Sequence, residues 1–300
     1  GFRLECALGQ NLPGPDPSSR ESHGDDIVVS PGQIPGRFRG RAYMVSHPRF
    51  LVPNLFTSLS FLLGFWAILF ATGSLRSHLA SQIALVFACH LIIYCALLDK
   101  LDGFAAKALN ASSEFGAQFD SLADLIAFGI APAFCMIFAF EQLTPQWYAD
   151  NFVWLLLSAS IYVLSAAARL ARYNAVDSDS LPDWFKGLPS TLAGGLNAIV
   201  IVICYQHGFF SESNPALFLL VLFQISTALL MISPLLLPKF KPRQNPVLNT
   251  IQLAGIAFGY FCGFAMIYTE MIGLLVAGYA IGGFIYGLSH RKEVMEGLST

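Results

Sequence analysis

The sequence predicts an all-α, polytopic membrane protein of about eight transmembrane helices with both termini in the cytoplasm. Three observations lead there. The 300-residue chain is 55% hydrophobic and only 12% charged, whereas a soluble domain carries about 25% charged residues. Its apolar residues gather into eight runs, most of them close to the ~20 residues a helix needs to cross the hydrocarbon core. Its positive charges fall almost entirely on one side of that eight-run arrangement.

Residues 1–43 precede the first run. They are rich in Pro, Gly, Ser and charge and show neither a helical nor a strand period, so they are expected to form a disordered or non-native extension. Met44 directly precedes the first run and is read as the start of a membrane-embedded domain spanning 44–300. No basic–apolar–small-residue signal pattern stands before it. The runs cover about 55–72, 80–98, 118–140, 152–168, 190–206, 216–237, 249–268 and 271–288. They are too long and too uniformly apolar for barrel strands, and helices are the remaining way to satisfy the backbone in lipid. The last two runs are separated only by a few residues around Glu270, which predicts a tight helical hairpin.

Of the 17 lysines and arginines, only Arg76 falls on the opposite side of this topology. The positive-inside rule then places both termini in the cytoplasm. Five of the six cysteines lie inside apolar runs without CxxC spacing and read as small buried hydrophobes. His78, His90, His207 and His290 show no mutual metal-ligand spacing.

One stretch breaks the apolar pattern. Residues 99–124 read DKLDGFAAKALNASSEFGAQFDSLAD. Asp99 and Asp102 are three apart at the end of the second run, and Asp120 and Asp124 are four apart at the start of the third. Both spacings put side chains on one helical face. Two antiparallel neighbours then converge four carboxylates on one small volume, too many for Lys100 and Lys107 to neutralise. Hard divalent cations such as Mg²⁺ or Mn²⁺ suit an all-oxygen donor set, and a pair of them bridges a pyrophosphate well. Gly103, Ala105, Ala106 and Gly116 keep the space between the helices open for close approach of a nucleotide or phosphate. An ion-coupled transporter is the other class that places acids in a membrane. It predicts internal repeats and acids near the midplane, whereas this chain has no repeat and its acids sit at one edge.

The string Asp99-x2-Asp102-Gly103-x2-Ala106-Lys107-x8-Gly116-x3-Asp120-x3-Asp124 resembles the signature of the CDP-alcohol phosphatidyltransferases, DxxDGxxAR followed by GxxxDxxxD. Lys107 stands where that family usually has Arg. SEFGAQFDSLADLIAFGIAPA (113–133), RLARYN (169–174) and GLPST (187–191) are similar to strings of the bacterial, membrane-embedded branch that uses L-serine as acceptor. The resemblance covers roughly 50–290 and does not reach 1–43.

The resemblance implies two divalent metal ions, Mg²⁺ or Mn²⁺, held by Asp99, Asp102 and Asp120, with Asp124 beside the metal as general base. It implies CDP-diacylglycerol and L-serine as substrates and phosphatidylserine and CMP as products. Glycerol 3-phosphate or inositol phosphate are the alternative acceptors, each needing further cations for a second phosphate. Gly103, Ala106, Lys107 and Gly116 map onto the nucleotide-binding part of the motif. Lys107 keeps the charge but lacks the planar fork of Arg. Pro53-Asn54-Leu55-Phe56-Thr57 resembles a PNxxT string of the family, so Asn54 and Thr57 are expected to line the same site. Arg169 and Arg172, three apart and on the cytoplasmic side, are expected to bind the acceptor carboxylate or a phosphate. Ser190 of GLPST receives no role. The implied setting is the lipid bilayer of the cell's inner membrane, with the active site on the cytoplasmic face and no nucleic-acid partner. The glycines of the last run, Gly273, Gly278, Gly282, Gly283 and Gly287, permit close packing within the chain or in a homodimer.

Overall fold

Helix after helix runs across one bundle and turns at its two ends. The structure, a computed structural model, describes residues 51–73, 81–109, 113–177, 183–239, 246–265 and 267–290. The predicted extension 1–43 and Arg76 lie outside the described residues.

Helices α1 (Leu51–Ala71) and α2 (Ser81–Ala108) form the first pair. The 28 residues of α2 extend about 42 Å at 1.5 Å per residue, well beyond the ~30 Å hydrocarbon core. Its last turns, which carry Asp99 and Asp102, therefore reach the interface. Helix α3 (Glu114–Asp124) continues through a π-helical turn, Leu125–Ile130, into α4 (Ala131–Leu143). Ser113 caps α3, its Oγ accepting from the Gly116 N–H at 3.0 Å.

The π turn marks where Pro132 enters the rod. Proline has no N–H to offer the carbonyl four residues back, which here is that of Phe128. The Tyr162 hydroxyl, fully buried on α5 (Pro145–Arg172), donates to that carbonyl instead, at 2.9 Å. Helix α6 (Ser190–Gln206) also presses on this turn. A Cβ on Gly194 would stand 2.8 Å from the Phe128 Cα, so only glycine fits there.

A short 3₁₀ turn, Pro215–Leu217, leads into α7 (Phe218–Ile232), followed by α8 (Pro246–Ala265) and α9 (Thr269–Ser289). Small residues let the helices approach closely: Ala67, Ala88, Ala127, Ala131, Ala139 and Ala198 are fully buried. Long apolar side chains such as Leu164, Phe264 and Leu274 point outward, as a lipid-facing surface requires.

Among the described residues, six helical segments are long and apolar enough to cross a membrane: 54–71, 83–103, 114–143, 145–175, 215–232 and 269–289. Helix α6 is apolar but spans only 17 residues. The chain is thus an all-α, multi-pass membrane protein, and each of the eight apolar runs falls on a helix.

Two run boundaries differ from the helices. Helix α5 starts at Pro145, not near 152, because its polar first turns are still helical: Pro145 occupies the first position, and Glu212 accepts from the N–H groups of Gln146 and Trp147, both at 2.9 Å. The run 216–237 is helical only to Ile232. Ser233 turns extended before Pro234, and Leu236–Pro238 forms a strand, β2, antiparallel to β1 (Trp184–Lys186), with Phe185 opposite Leu237.

The glycines of α9 divide among three environments. Gly273 faces Ile199 and Ile203 of α6, while Gly283 and Gly287 face Leu236 and Leu237 of β2; beside Gly278 and Gly282 a Cβ would meet open space.

Candidate active site

The start of α1, the end of α2, the start of α3, the end of α5 and the start of α6 meet at one end of the bundle. The four aspartates lie there. One carboxylate oxygen from each of Asp99, Asp120 and Asp124 falls within 4.8 Å of the others. The Asp102 carboxyl lies against that of Asp120. Three of the four carboxylates expected to converge thus form one close cluster, with Asp102 at its edge beside Asp120.

Each of three aspartates receives a hydroxyl from another helix. Thr57 on α1 donates to Asp102 Oδ2 at 3.1 Å, Thr191 on α6 to Asp99 Oδ2 at 3.3 Å, and Ser190 on α6 to Asp124 Oδ2 at 3.4 Å. Thr57, Ser190 and Thr191 are all buried. Such outer partners orient ligating carboxylates. Lys100 also donates to Asp99 Oδ2, at 3.0 Å, from an exposed position.

The two arginines part company. Arg169 is buried and donates from Nη1 to Ser190 Oγ at 3.0 Å, and its buried Nε has no hydrogen-bond partner. Its guanidinium thus stands one hydroxyl away from Asp124. Arg172 turns the other way and donates to the backbone carbonyls of Ile232 (3.1 Å) and Lys186 (2.9 Å). The shared face predicted from their spacing holds for the helix but not for the side-chain tips.

The remaining predicted residues are distributed as follows. Gly103 borders open space, with nothing within 4 Å of where a Cβ would stand. A Cβ on Gly116 would meet Ser113 Oγ at 3.0 Å and Asn54 Oδ1 at 3.3 Å, so Asn54 sits beside the first turn of α3. Ala106 and Lys107 belong to the last turns of α2, and their side chains lie outside the described residues.

Ser190 and Thr191 gave no sequence signal of their own, because Ser and Thr after a Pro are ordinary helix starts. Their placement depends on the loop before them. Gly187 holds φ = 74°, and a Cβ there would run into the Met231 carbonyl oxygen. Its N–H donates to Leu235 O at 2.7 Å and that of Leu188 to Leu230 O at 2.9 Å. The loop is thereby pinned to the end of α7, and α6 starts against the carboxylates.

The donor set fits a hard cation. It consists of carboxylate oxygens with hydroxyls behind them, and three residues converge closely enough to share an ion.

Comparison with known proteins follows the same lines. The family model described as CDP-alcohol phosphatidyltransferase matches residues 50–238. A CDP-diacylglycerol–serine O-phosphatidyltransferase of Helicobacter pylori is 35% identical over 199 residues, covering 66% of this chain and 76% of its own length. A protein of the same description from Methanocaldococcus jannaschii is 35% identical over 150 residues, 50% of this chain and 63% of its own. An archaetidylserine synthase of Methanothermobacter thermautotrophicus is 31% identical over 192 residues, 63% of this chain and 70% of its own.

Proposed function

The chain belongs to the CDP-alcohol phosphatidyltransferase family, and from that premise we propose that it transfers the phosphatidyl group of CDP-diacylglycerol to the hydroxyl of L-serine, giving phosphatidylserine and CMP. The observation that carries the acceptor is Arg169: a buried guanidinium with an unused Nε–H, one hydroxyl away from the base Asp124. A carboxylate-bearing acceptor fits that donor. Glycerol 3-phosphate and inositol phosphate fit less well, since Arg172 is committed to backbone carbonyls and a second phosphate calls for further cations.

Asp99, Asp102, Asp120 and Asp124 are assigned to two divalent ions, Mg²⁺ or Mn²⁺. When bound, these ions supply positive charge to the pyrophosphate and its departing oxygen. Charge balance supports two. The four carboxylates carry four negative charges, of which Lys100 and Arg169 offset two. With Lys107 beside the nucleotide as well, two divalent ions turn the remainder positive, the sign that the pyrophosphate diester of CDP-diacylglycerol calls for.

The residues of the chain do the rest by position. Thr57, Thr191 and Ser190 hold the carboxylates in orientation. Gly103, Ala106, Lys107, Gly116 and Asn54 border the nucleotide. Arg169 anchors the carboxylate of serine. Asp124, one turn deeper than Asp120, takes the proton of the serine hydroxyl as that oxygen attacks the phosphorus bearing diacylglycerol. The bond from that phosphorus to the bridging oxygen breaks, and CMP leaves with the electron pair. The lopsided Lys and Arg distribution supports a cytoplasmic active site at the inner membrane, served by the domain 44–300.

The test is CMP release by the full-length protein in detergent, with CDP-diacylglycerol, Mn²⁺ or Mg²⁺, and serine, glycerol 3-phosphate or inositol phosphate offered in parallel. Release with serine alone, lost on chelation and in Asp124→Asn, is the expected result. Release with another acceptor in place of serine overturns the acceptor assignment.

A further inference from the structure

The reaction as described uses Ser190 only to orient Asp124, yet Ser190 has a second partner in Arg169. It stands between the acceptor's anchor and the base, accepting from Arg169 Nη1 at 3.0 Å and donating to Asp124 Oδ2 at 3.4 Å. Its side chain is buried, at 1% exposure. A hydroxyl has one proton to give, and here it goes to the carboxylate, while a lone pair takes the guanidinium N–H. The hydroxyl is therefore oriented by both neighbours.

A guanidinium and a carboxylate this close ordinarily form a direct, bidentate pair. In such a pair the base would carry a permanent partner, and the arginine would spend its donors on it. The interposed hydroxyl prevents both. Asp124 engages it through one oxygen, and Arg169 keeps Nε–H unpaired, in a buried position. The two hydrogen bonds laid end to end limit the separation of Arg169 Nη1 and Asp124 Oδ2 to at most 6.4 Å, the sum of 3.0 and 3.4 Å. An acceptor that meets the anchor with its carboxylate and the base with its hydroxyl must be short.

The loop geometry makes that spacing a built feature. Pro189 precedes Ser190, the N–H groups of Gly187 and Leu188 are tied to the end of α7, and Arg172 fastens Lys186 and Ile232 to the end of α5. Ser190 thus starts α6 at a position determined by three other elements.

We infer that Ser190 is a positioning residue that holds the carboxylate anchor Arg169 one hydroxyl apart from the base Asp124 and so selects an acceptor whose hydroxyl lies two carbons from its carboxyl carbon. The inference rests on the serine reading above. Without the hydroxyl, Arg169 closes on Asp124: the anchor is diverted, the base is occupied, and the spacing that favours serine over its one-carbon-longer homologue is lost.

The experiment compares wild type, Ser190→Ala and Ser190→Thr as full-length proteins in detergent, with serine and homoserine as acceptors and CDP-diacylglycerol held saturating. Melting with and without Mn²⁺ provides the readout apart from activity. Ser190→Ala is expected to lower kcat/KM for serine by roughly tenfold or more, through both kcat and KM, and to shrink the serine-over-homoserine ratio. Ser190→Thr, which keeps the hydroxyl, is expected to restore both. The Mn²⁺-induced melting shift is expected to shrink in Ser190→Ala, where Arg169 pairs with a carboxylate assigned to the ions, and to return in Ser190→Thr. A wild-type kcat/KM and acceptor ratio in Ser190→Ala overturns the inference, as does a Ser190→Thr protein that melts normally yet behaves like Ser190→Ala. If Ser190→Ala does not fold, Ser190→Cys takes its place, retaining volume with a weak donor. Wild-type protein that uses another acceptor instead of serine defeats the serine reading itself, whatever the variants do.

Discussion

Neutralising one member of the carboxylate cluster should stabilise the ion-free protein and abolish most of the stabilisation that ions confer. The ligand oxygens of Asp99, Asp120 and Asp124 lie within 4.8 Å of one another. Two unit charges at that distance repel by about 0.9 kcal/mol at the dielectric constant of water and about 3.5 kcal/mol at an effective value of ~20. Asp120 takes part in two of the three pairs, so Asp120→Asn relieves about 2–7 kcal/mol of repulsion. The lost attraction to Lys100 and Arg169 returns part of this, leaving a net gain of about 1–3 kcal/mol, or roughly 3–10 °C in melting temperature. A thiol-reactive fluorophore can follow the transition, because Cys89, Cys95, Cys135 and Cys262 are buried and free. In chelator, Asp120→Asn should melt above wild type. On titration with Mn²⁺, wild type should climb steeply and the variant little, since a liganding oxygen carries less charge. A variant that melts below wild type in chelator, or that keeps the full Mn²⁺-induced rise, would refute the convergence of these carboxylates on a shared ion.

Four further substitutions separate scaffold from chemistry. Arg172→Ala removes two charged-donor bonds to backbone carbonyls and should cost about 2 kcal/mol or more of stability, while Arg169→Met at unchanged melting should raise the KM for serine; the reverse pattern would exchange their roles. Gly187→Ala forces a non-glycine residue to φ = 74° with its Cβ driven into the Met231 carbonyl; a loss above ~2 kcal/mol, seen as a lowered melting temperature, is expected. Tyr162→Phe takes the hydroxyl from the Phe128 carbonyl and should cost about 1–2 kcal/mol, with serine KM unchanged, since that contact lies in the scaffold below Asp124.

The parts of this site that were legible in the sequence are those where the information is local. The aspartate spacings within α2 and within α3 are helical periods, so convergence of the carboxylates required only that the two helices be neighbours. Helix positions followed from hydropathy for the same reason, since a span is a property of consecutive residues. Hydropathy failed where a backbone bond, not polarity, decides: Glu212 extends α5 into a polar stretch by satisfying its first N–H groups, and Pro234 ends α7 inside an apolar one. Arg169 and Arg172 show the limit most clearly. Their identity and spacing are equivalent on paper, yet one guanidinium joins the carboxylates and the other clamps Lys186 and Ile232, which lie 14 and 60 residues away.

Ser190 is the same limit from the other side. Nothing about a serine after a proline distinguishes a helix start from a spacer, and its two partners are 21 and 66 residues distant. Its position follows from Gly187, whose positive φ follows in turn from the close passage of the chain under Met231. A glycine with no polar atom thereby decides where a polar side chain meets the base. The consequence is testable as a coupling: if Gly187 acts by placing Ser190, then Gly187→Ala and Ser190→Ala combined should lower kcat/KM for serine by less than the product of their separate effects. Full multiplication of the two losses would mean that the loop and the hydroxyl act independently, and that Ser190 owes its place to the α5–α6 packing alone.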